Sequence, residues 1–163
     1  MHQVCRPLEL VWSDLTREKI FQIGIFIKFL LIIGLLPIIQ KEWFVPFILN
    51  WIENPISIPW SNHLEFEGDP LAFPYGPIMF ISHLPTTAIG WVIDNLFSLN
   101  YFAHFGFRLS LLFADIFLLI LLLQVFENHW RKVLIYYWLS PLVIFITYWH
   151  GQTDLIPVAL FIY

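Results

Sequence analysis

The stretch Phe107–Phe126 constrains this chain more than any other. Its centre, Leu111-Leu-Phe-Ala-Asp-Ile-Phe-Leu-Leu-Ile-Leu-Leu-Leu123, is hydrocarbon apart from Asp115. About 20 such residues, rising 1.5 Å each, match the roughly 30 Å of a bilayer's hydrocarbon layer. Two more runs, Ile20–Ile39 and Val133–Trp149, have similar character. Soluble domains carry roughly 25% charged residues; here 12% are charged and 59% are hydrophobic. The pattern predicts an all-α integral membrane protein, a multi-span helical bundle, because helices satisfy their own backbone in lipid.

The same counts exclude several classes. A net charge of -4 with no basic run argues against a nucleic-acid ligand. The single cysteine, Cys5, leaves no internal disulfide and no cysteine-based zinc site. The first apolar run has no small-residue cleavage site and is too long for a signal core, so it reads as a retained span. Ala159–Tyr163 ends within an apolar run, which predicts the N-terminal fragment of a longer protein.

Taken in order, residues 1–19 read as a cytoplasmic amphipathic segment, with Leu8, Val11, Trp12 and Leu15 at helical spacing. Residues 20–39 form a transmembrane helix. Lys28 interrupts it and is expected to snorkel toward the near face, the alternative being a polar cavity among helices. Residues 40–106 form an external loop carrying interfacial helices, one of them at Trp43–Ile52. A span at 107–126, a cytoplasmic turn at 127–132 and a span at 133–149 follow. Residues 150–163 hold an external polar break and the start of a further span.

Parity fixes the arrangement. The 40–75 loop carries Glu42, Glu53, Glu65, Glu67 and Asp69 against Lys41 alone, which places it on the non-cytoplasmic side. If 76–99 crosses, Arg131 and Lys132 lie outside and His150–Asp154 inside; treating it as an interfacial helix pair or re-entrant segment, the favoured arrangement, puts Arg131 and Lys132 in the cytoplasm. That arrangement gathers Glu42, Glu65, Glu67, Asp69, His83, Asp94, His104, Arg108, His150, Gln152 and Asp154 on one face.

Asp115, at bilayer depth, is a functional candidate or a satisfied interhelical hydrogen bond. Arg108 at the outer mouth suits a phosphate or simple interfacial anchoring. Glu65, Glu67 and Asp69 alternate, so an extended strand would aim all three one way, as ligands for Mg²⁺ or Mn²⁺ or as a solvated cluster. No Gly-rich phosphate loop or nucleophile elbow is present.

Four segments together resemble the GT-C superfamily of membrane glycosyltransferases. They are Gln40-Lys-Glu-Trp after the first span, Gly68-Asp-Pro-Leu-Ala-Phe-Pro-Tyr-Gly-Pro-Ile-Met-Phe80, Phe107-Arg-Leu-Ser-Leu-Leu-Phe-Ala-Asp-Ile116, and Leu139-Ser-Pro-Leu-Val-Ile with His150-Gly-Gln-Thr-Asp-Leu-Ile-Pro157. The resemblance implies transfer of a sugar, mannose among the candidates, from a polyprenyl-phosphate donor to a glycan, lipid or protein acceptor, with inversion. It implies an active face on the non-cytoplasmic side of a bacterial, archaeal or endoplasmic-reticulum membrane. Glu42 stands where the family has its catalytic Asp, and Asp69 is the second candidate. Arg108, Asp115, Gln152, Asp154 and Tyr75 become substrate-binding candidates, and a divalent metal is an optional cofactor. A transporter component and a non-catalytic assembly subunit are the competing readings.

Overall fold

The structure is a computed structural model that describes residues 8–55 and 57–163. The expectations resting on Cys5 and Arg6, and on the side chains of Leu8 and Val11, lie outside what it describes. Among the described residues every element is helical. One helix is long and apolar enough to cross a membrane, Phe102–Val125.

Helix α1 (Leu8–Arg17) leads into α2 (Lys19–Gly34). The sequence predicts a span to residue 39, but α2 stops at 16 residues. Pro37 has no N–H to continue the ladder. The chain restarts as a π-helical turn, Gln40–Phe44, that flows into α3 (Val45–Glu53), and α4 (Pro59–Glu65) folds back on α3. Helices α5 (Pro77–Phe97) and α6 (Phe102–Val125) then form a long hairpin. The chain continues through α7 (Trp130–Val133), a π-helical Leu134–Trp138, α8 (Pro141–Ile144), a π-helical Phe145–His150 and α9 (Leu155–Ile162).

The segment expected to be a helix pair or a re-entrant turn is one continuous 21-residue helix, α5. Pro85 lies inside it and faces outward without breaking it. Two glycines let the α5 and α6 backbones touch. A Cβ on Gly90 would strike the Phe102 carbonyl, and one on Gly106 would strike the Thr86 carbonyl. At the turn, Asp94 accepts hydrogen bonds from the Tyr101, Phe102 and Ala103 amides at 3.0, 2.9 and 2.7 Å. It thereby satisfies the free N–H groups that open α6. Leucine at Gly106 is expected to force the hairpin apart. Overpacking of this kind costs roughly 1–3 kcal/mol or more. A lower unfolding midpoint in detergent than for Gly34→Leu, where nothing lies within 4 Å, would show it.

Helix α5 is packed inside out. It buries Met79 and Phe80 in its first turn and then His83, Thr87, Gly90 and Asp94, whereas Ile81, Ile89 and Leu96 are 61%, 63% and 73% exposed. Helix α2 buries Gly24 and Lys28 between Phe21 and Ile32, and Ile23, Phe26 and Leu30 are exposed. Water-facing helices do the reverse. An apolar exterior around a polar seam is what hydrocarbon surroundings favour.

Two clusters sort the molecule along α6. One joins Leu15, Phe21, Leu119, Leu123, Val133 and Trp138, near the basic residues Arg17, Lys19, Arg131 and Lys132. The other joins Phe44, Phe47, Phe73, Phe80 and Phe107, near the acidic 40–75 segment. Phe47 stacks on Phe73 at 4.7 Å, and Trp60 Nε1 donates to the Phe73 carbonyl at 3.2 Å. These contacts pin the proline-rich loop onto α3.

Candidate functional site

The α2–α3 break, the proline-rich loop and the turn before α9 are far apart in sequence and meet at one place. Gln40 and Phe44 open and close the π-helical turn, and both are buried, while Lys41, Glu42 and Trp43 between them are exposed. Gln40 Nε2 donates to the Gly151 carbonyl at 3.0 Å. Gly151 has φ 91°, the left-handed region that glycine occupies without strain. Its missing side chain leaves room for Pro37 and Gln40, either of which a Cβ would strike. Tyr75 lies edge-on to Phe44, with ring centroids 5.6 Å apart, and its hydroxyl donates to Gln152 Oε1 at 3.2 Å. Burial pushes the Tyr75 phenol above its ordinary value, so it stays a neutral donor.

Of the expected site residues, Tyr75, Gln152 and Asp154 come together here, with Asp154 close enough for its charge to act on Tyr75. Glu42 is exposed, paired with its neighbour Lys41 at 3.2 Å, and within electrostatic reach of His104. Asp69 serves a turn: its Oδ1 accepts from the Leu71 amide at 2.8 Å. Glu65 ends α4, and Glu67 has φ 57°. The extended strand that would aim Glu65, Glu67 and Asp69 together does not form. Among the described residues no three His, Cys, Asp or Glu side chains converge to hold a metal. This triad therefore does not fit a divalent cation.

Arg108 does not face an outer mouth, and Asp115 makes the interhelical hydrogen bonds that stood as one of its two readings. Arg108 is buried, and its guanidinium is filled by backbone: it donates to the carbonyls of Leu31, at 2.7 Å, Ile32 and Leu35, and to that of Tyr148 at 3.2 Å. The C-terminal carbonyls of α2 lack partners because the helix stops at Gly34. Arg108 caps them, so no donor fork remains for a phosphate.

Asp115 belongs to a buried cluster deeper along α6. Its Oδ2 accepts from Lys28 Nζ at 2.6 Å and from the Tyr148 hydroxyl at 2.6 Å, and its Oδ1 accepts from the Tyr137 hydroxyl at 2.7 Å. Lys28 does not snorkel. It is fully buried, and its ammonium lies 3.4 Å from the centroid of the Trp138 ring. Gly24, one turn before, provides the space for that ring. In low dielectric a charge without a partner is the costlier alternative. Four helical segments contribute to this ion pair and its donors, which makes it a lock for the bundle.

Gln40 and Thr153 were not expected as buried groups, and His83, expected among the polar groups of the external face, is instead buried, stacks on Phe107 at 4.1 Å and faces Ser110. The signal for the α5 stripe was present: positions 83, 87, 90 and 94 repeat with helical period and hold only polar or glycine residues. Compared with protein-family models, with curated proteins and with solved structures, the chain has no match.

Proposed function

We propose that this chain carries part of a membrane glycosyltransferase that moves a sugar from a polyprenyl-phosphate donor to an acceptor hydroxyl on the non-cytoplasmic face. One observation carries the reading. Three of the four segments that carry the resemblance to the GT-C superfamily, Gln40–Trp43, the loop ending at Tyr75 and Gly151–Asp154, meet at one place. The inside-out packing of α2 and α5 supports a lipid environment. The basic residues lie at the opposite end of α6 from the acidic loop, which supports the orientation.

In this reaction the acceptor oxygen attacks the anomeric carbon and the carbon–oxygen bond to the lipid phosphate breaks. The anomeric configuration inverts. Glu42, solvent-facing beside the converging segments, takes the acceptor's proton as general base. Tyr75, Gln152 and Asp154 orient substrate hydroxyls. Since Arg108 is occupied, the leaving phosphate is met by other cations, and Lys41 is the one this rim offers.

The test is transfer by the intact natural protein in proteoliposomes, with polyprenyl-phosphate mannose and polyprenyl-phosphate glucose as donors. Appearance of a glycosylated acceptor is expected. A protein that neither binds nor consumes either donor sinks the reading. The transporter reading draws on the intramembrane Lys28–Asp115 pair, and its discriminator is solute flux without any lipid-linked sugar.

A further inference from the structure

Two buried groups at the converging segments lack the partners their chemistry calls for. Gln40 is fully buried, and its Nε2 is committed to Gly151 while its Oε1 accepts from nothing. Thr153 is also fully buried, and its hydroxyl lies beside the Tyr75 phenol without a complete hydrogen bond of its own. Gln40 bonds the Gly151 carbonyl, and Thr153 follows Gln152 in the chain. Leaving such a group unpaired costs about 1–3 kcal/mol. Two of them around one turn point to a ligand that supplies the missing bonds.

The chemistry of the pair restricts that ligand. An amide oxygen needs a donor, and a threonine hydroxyl gives and takes one bond each. Adjacent hydroxyl groups satisfy both. A phosphate or carboxylate does not, since Gln40 Oε1 repels its oxygens and the Arg108 fork is filled. The aromatic faces of Phe44 and Tyr75 flank the place. On the other side of the Gly151 turn, a cleft of about 440 Å³ opens between Leu35–Ile39 and Trp149–His150, with Trp149 exposed. That volume accepts a sugar ring, and Gly151, next in the chain to its lining residue His150, is in contact with Pro37 and Gln40.

We infer that Gln40 and Thr153 form a subsite for vicinal hydroxyls of a neutral sugar, reached through the Trp149 cleft when the Gly151 turn moves. The choice of a sugar among neutral polyols rests on the glycosyltransferase reading. The sugar is either the terminal residue of a glycan acceptor or the one carried by the donor.

The experiment titrates the intact natural protein in lipid nanodiscs with methyl α-mannopyranoside and methyl α-glucopyranoside, following tryptophan fluorescence. Saturable binding is expected with at least one of them. Thr153→Val and Gln40→Leu should each weaken it by about three- to tenfold, the worth of one neutral hydrogen bond. Thr153→Ser should restore it. Thr153→Val removes a hydroxyl that has no full partner, so its unfolding midpoint should not fall, which separates lost binding from lost folding. In transfer kinetics, a KM increase confined to the acceptor assigns the subsite to the acceptor, and one confined to the donor assigns it to the donor sugar. Absence of saturable binding, or a Thr153→Val protein that binds like the natural one, overturns the subsite even if transfer is intact. Binding with no transfer would instead remove the enzyme reading and leave the subsite standing.

Discussion

Alanine at Asp115 is expected to destabilise the protein by about 3–5 kcal/mol, enough to lose the folded bundle at moderate temperature. The carboxylate is fully buried and holds one ammonium and two phenols. Its removal leaves Lys28 charged against apolar neighbours, with only the Trp138 face to stabilise it. It also strands the hydroxyls of Tyr137 and Tyr148, whose rings lie 6.0 and 5.6 Å from the ammonium. The cost lies in the orphaned partners rather than in the net strength of the pair. A fourfold replacement, Lys28→Met, Asp115→Leu, Tyr137→Phe and Tyr148→Phe, should therefore recover most of the loss, because shape is kept and no polar group is abandoned. Thermal unfolding in detergent measures both proteins. An Asp115→Ala protein as stable as the natural one would show that the cluster does not lock α2 to α6. Solute flux that vanishes in the fourfold variant while folding is intact would move the pair from structure to transport.

Glutamine at Glu42 is expected to lower the transfer rate by about 10²- to 10⁴-fold, the usual contribution of a positioned general base. KM should change little, since the amide is isosteric and the side chain is exposed with no structural bond beyond Lys41. Asparagine at Asp69 should cost only a few-fold. That side chain's visible role is to cap its own turn through the Leu71 amide, and an asparagine oxygen accepts the same bond. The comparison ranks the two acidic candidates. A larger rate loss at Asp69 than at Glu42 would reverse the assignment and make the proline-rich loop the catalytic one. Unchanged rates in both would remove carboxylate base catalysis from this chain.

Much of this was legible in the sequence, for identifiable reasons. Apolar runs of bilayer length announce helices directly, and Phe102–Val125 is the clearest case. Prolines and acids marked the 40–75 segment as distinct from the apolar runs, and the helices there, Val45–Glu53 and Pro59–Glu65, are short. Which polar groups pair was not legible. Lys28 and Asp115 lie far apart in the chain, and nothing local says that they meet. The same gap misassigned Arg108: a free helix C-terminus created by Pro37 has no sequence signature at residue 108. The strand expected at Glu65–Asp69 failed because Gly68 packs against the His63 imidazole and Glu67 turns left-handed. Burial holds His63 below its ordinary pKa, and its Nδ1 meets Asn50 at 3.0 Å. The expected break at Pro85 failed because that proline sits on the exposed face of a helix whose other face is packed on α6 through Gly90 and Gly106.

The proposed enzyme needs Glu42, the loop ending at Tyr75, and Gly151–Asp154 to form one site on one membrane face. The direct measurement is labelling with a membrane-impermeant thiol reagent in right-side-out vesicles, with Cys5 replaced by serine. Single cysteines are placed at Glu42, Glu67 and Asp154, all of which are exposed. The account predicts that all three react from the outside, and that a cysteine at Lys132 reacts only after the vesicles are opened. Reaction of the Asp154 position from the inside alone, with Glu42 still labelled from the outside, would place the two halves of the site on opposite faces and contradict it.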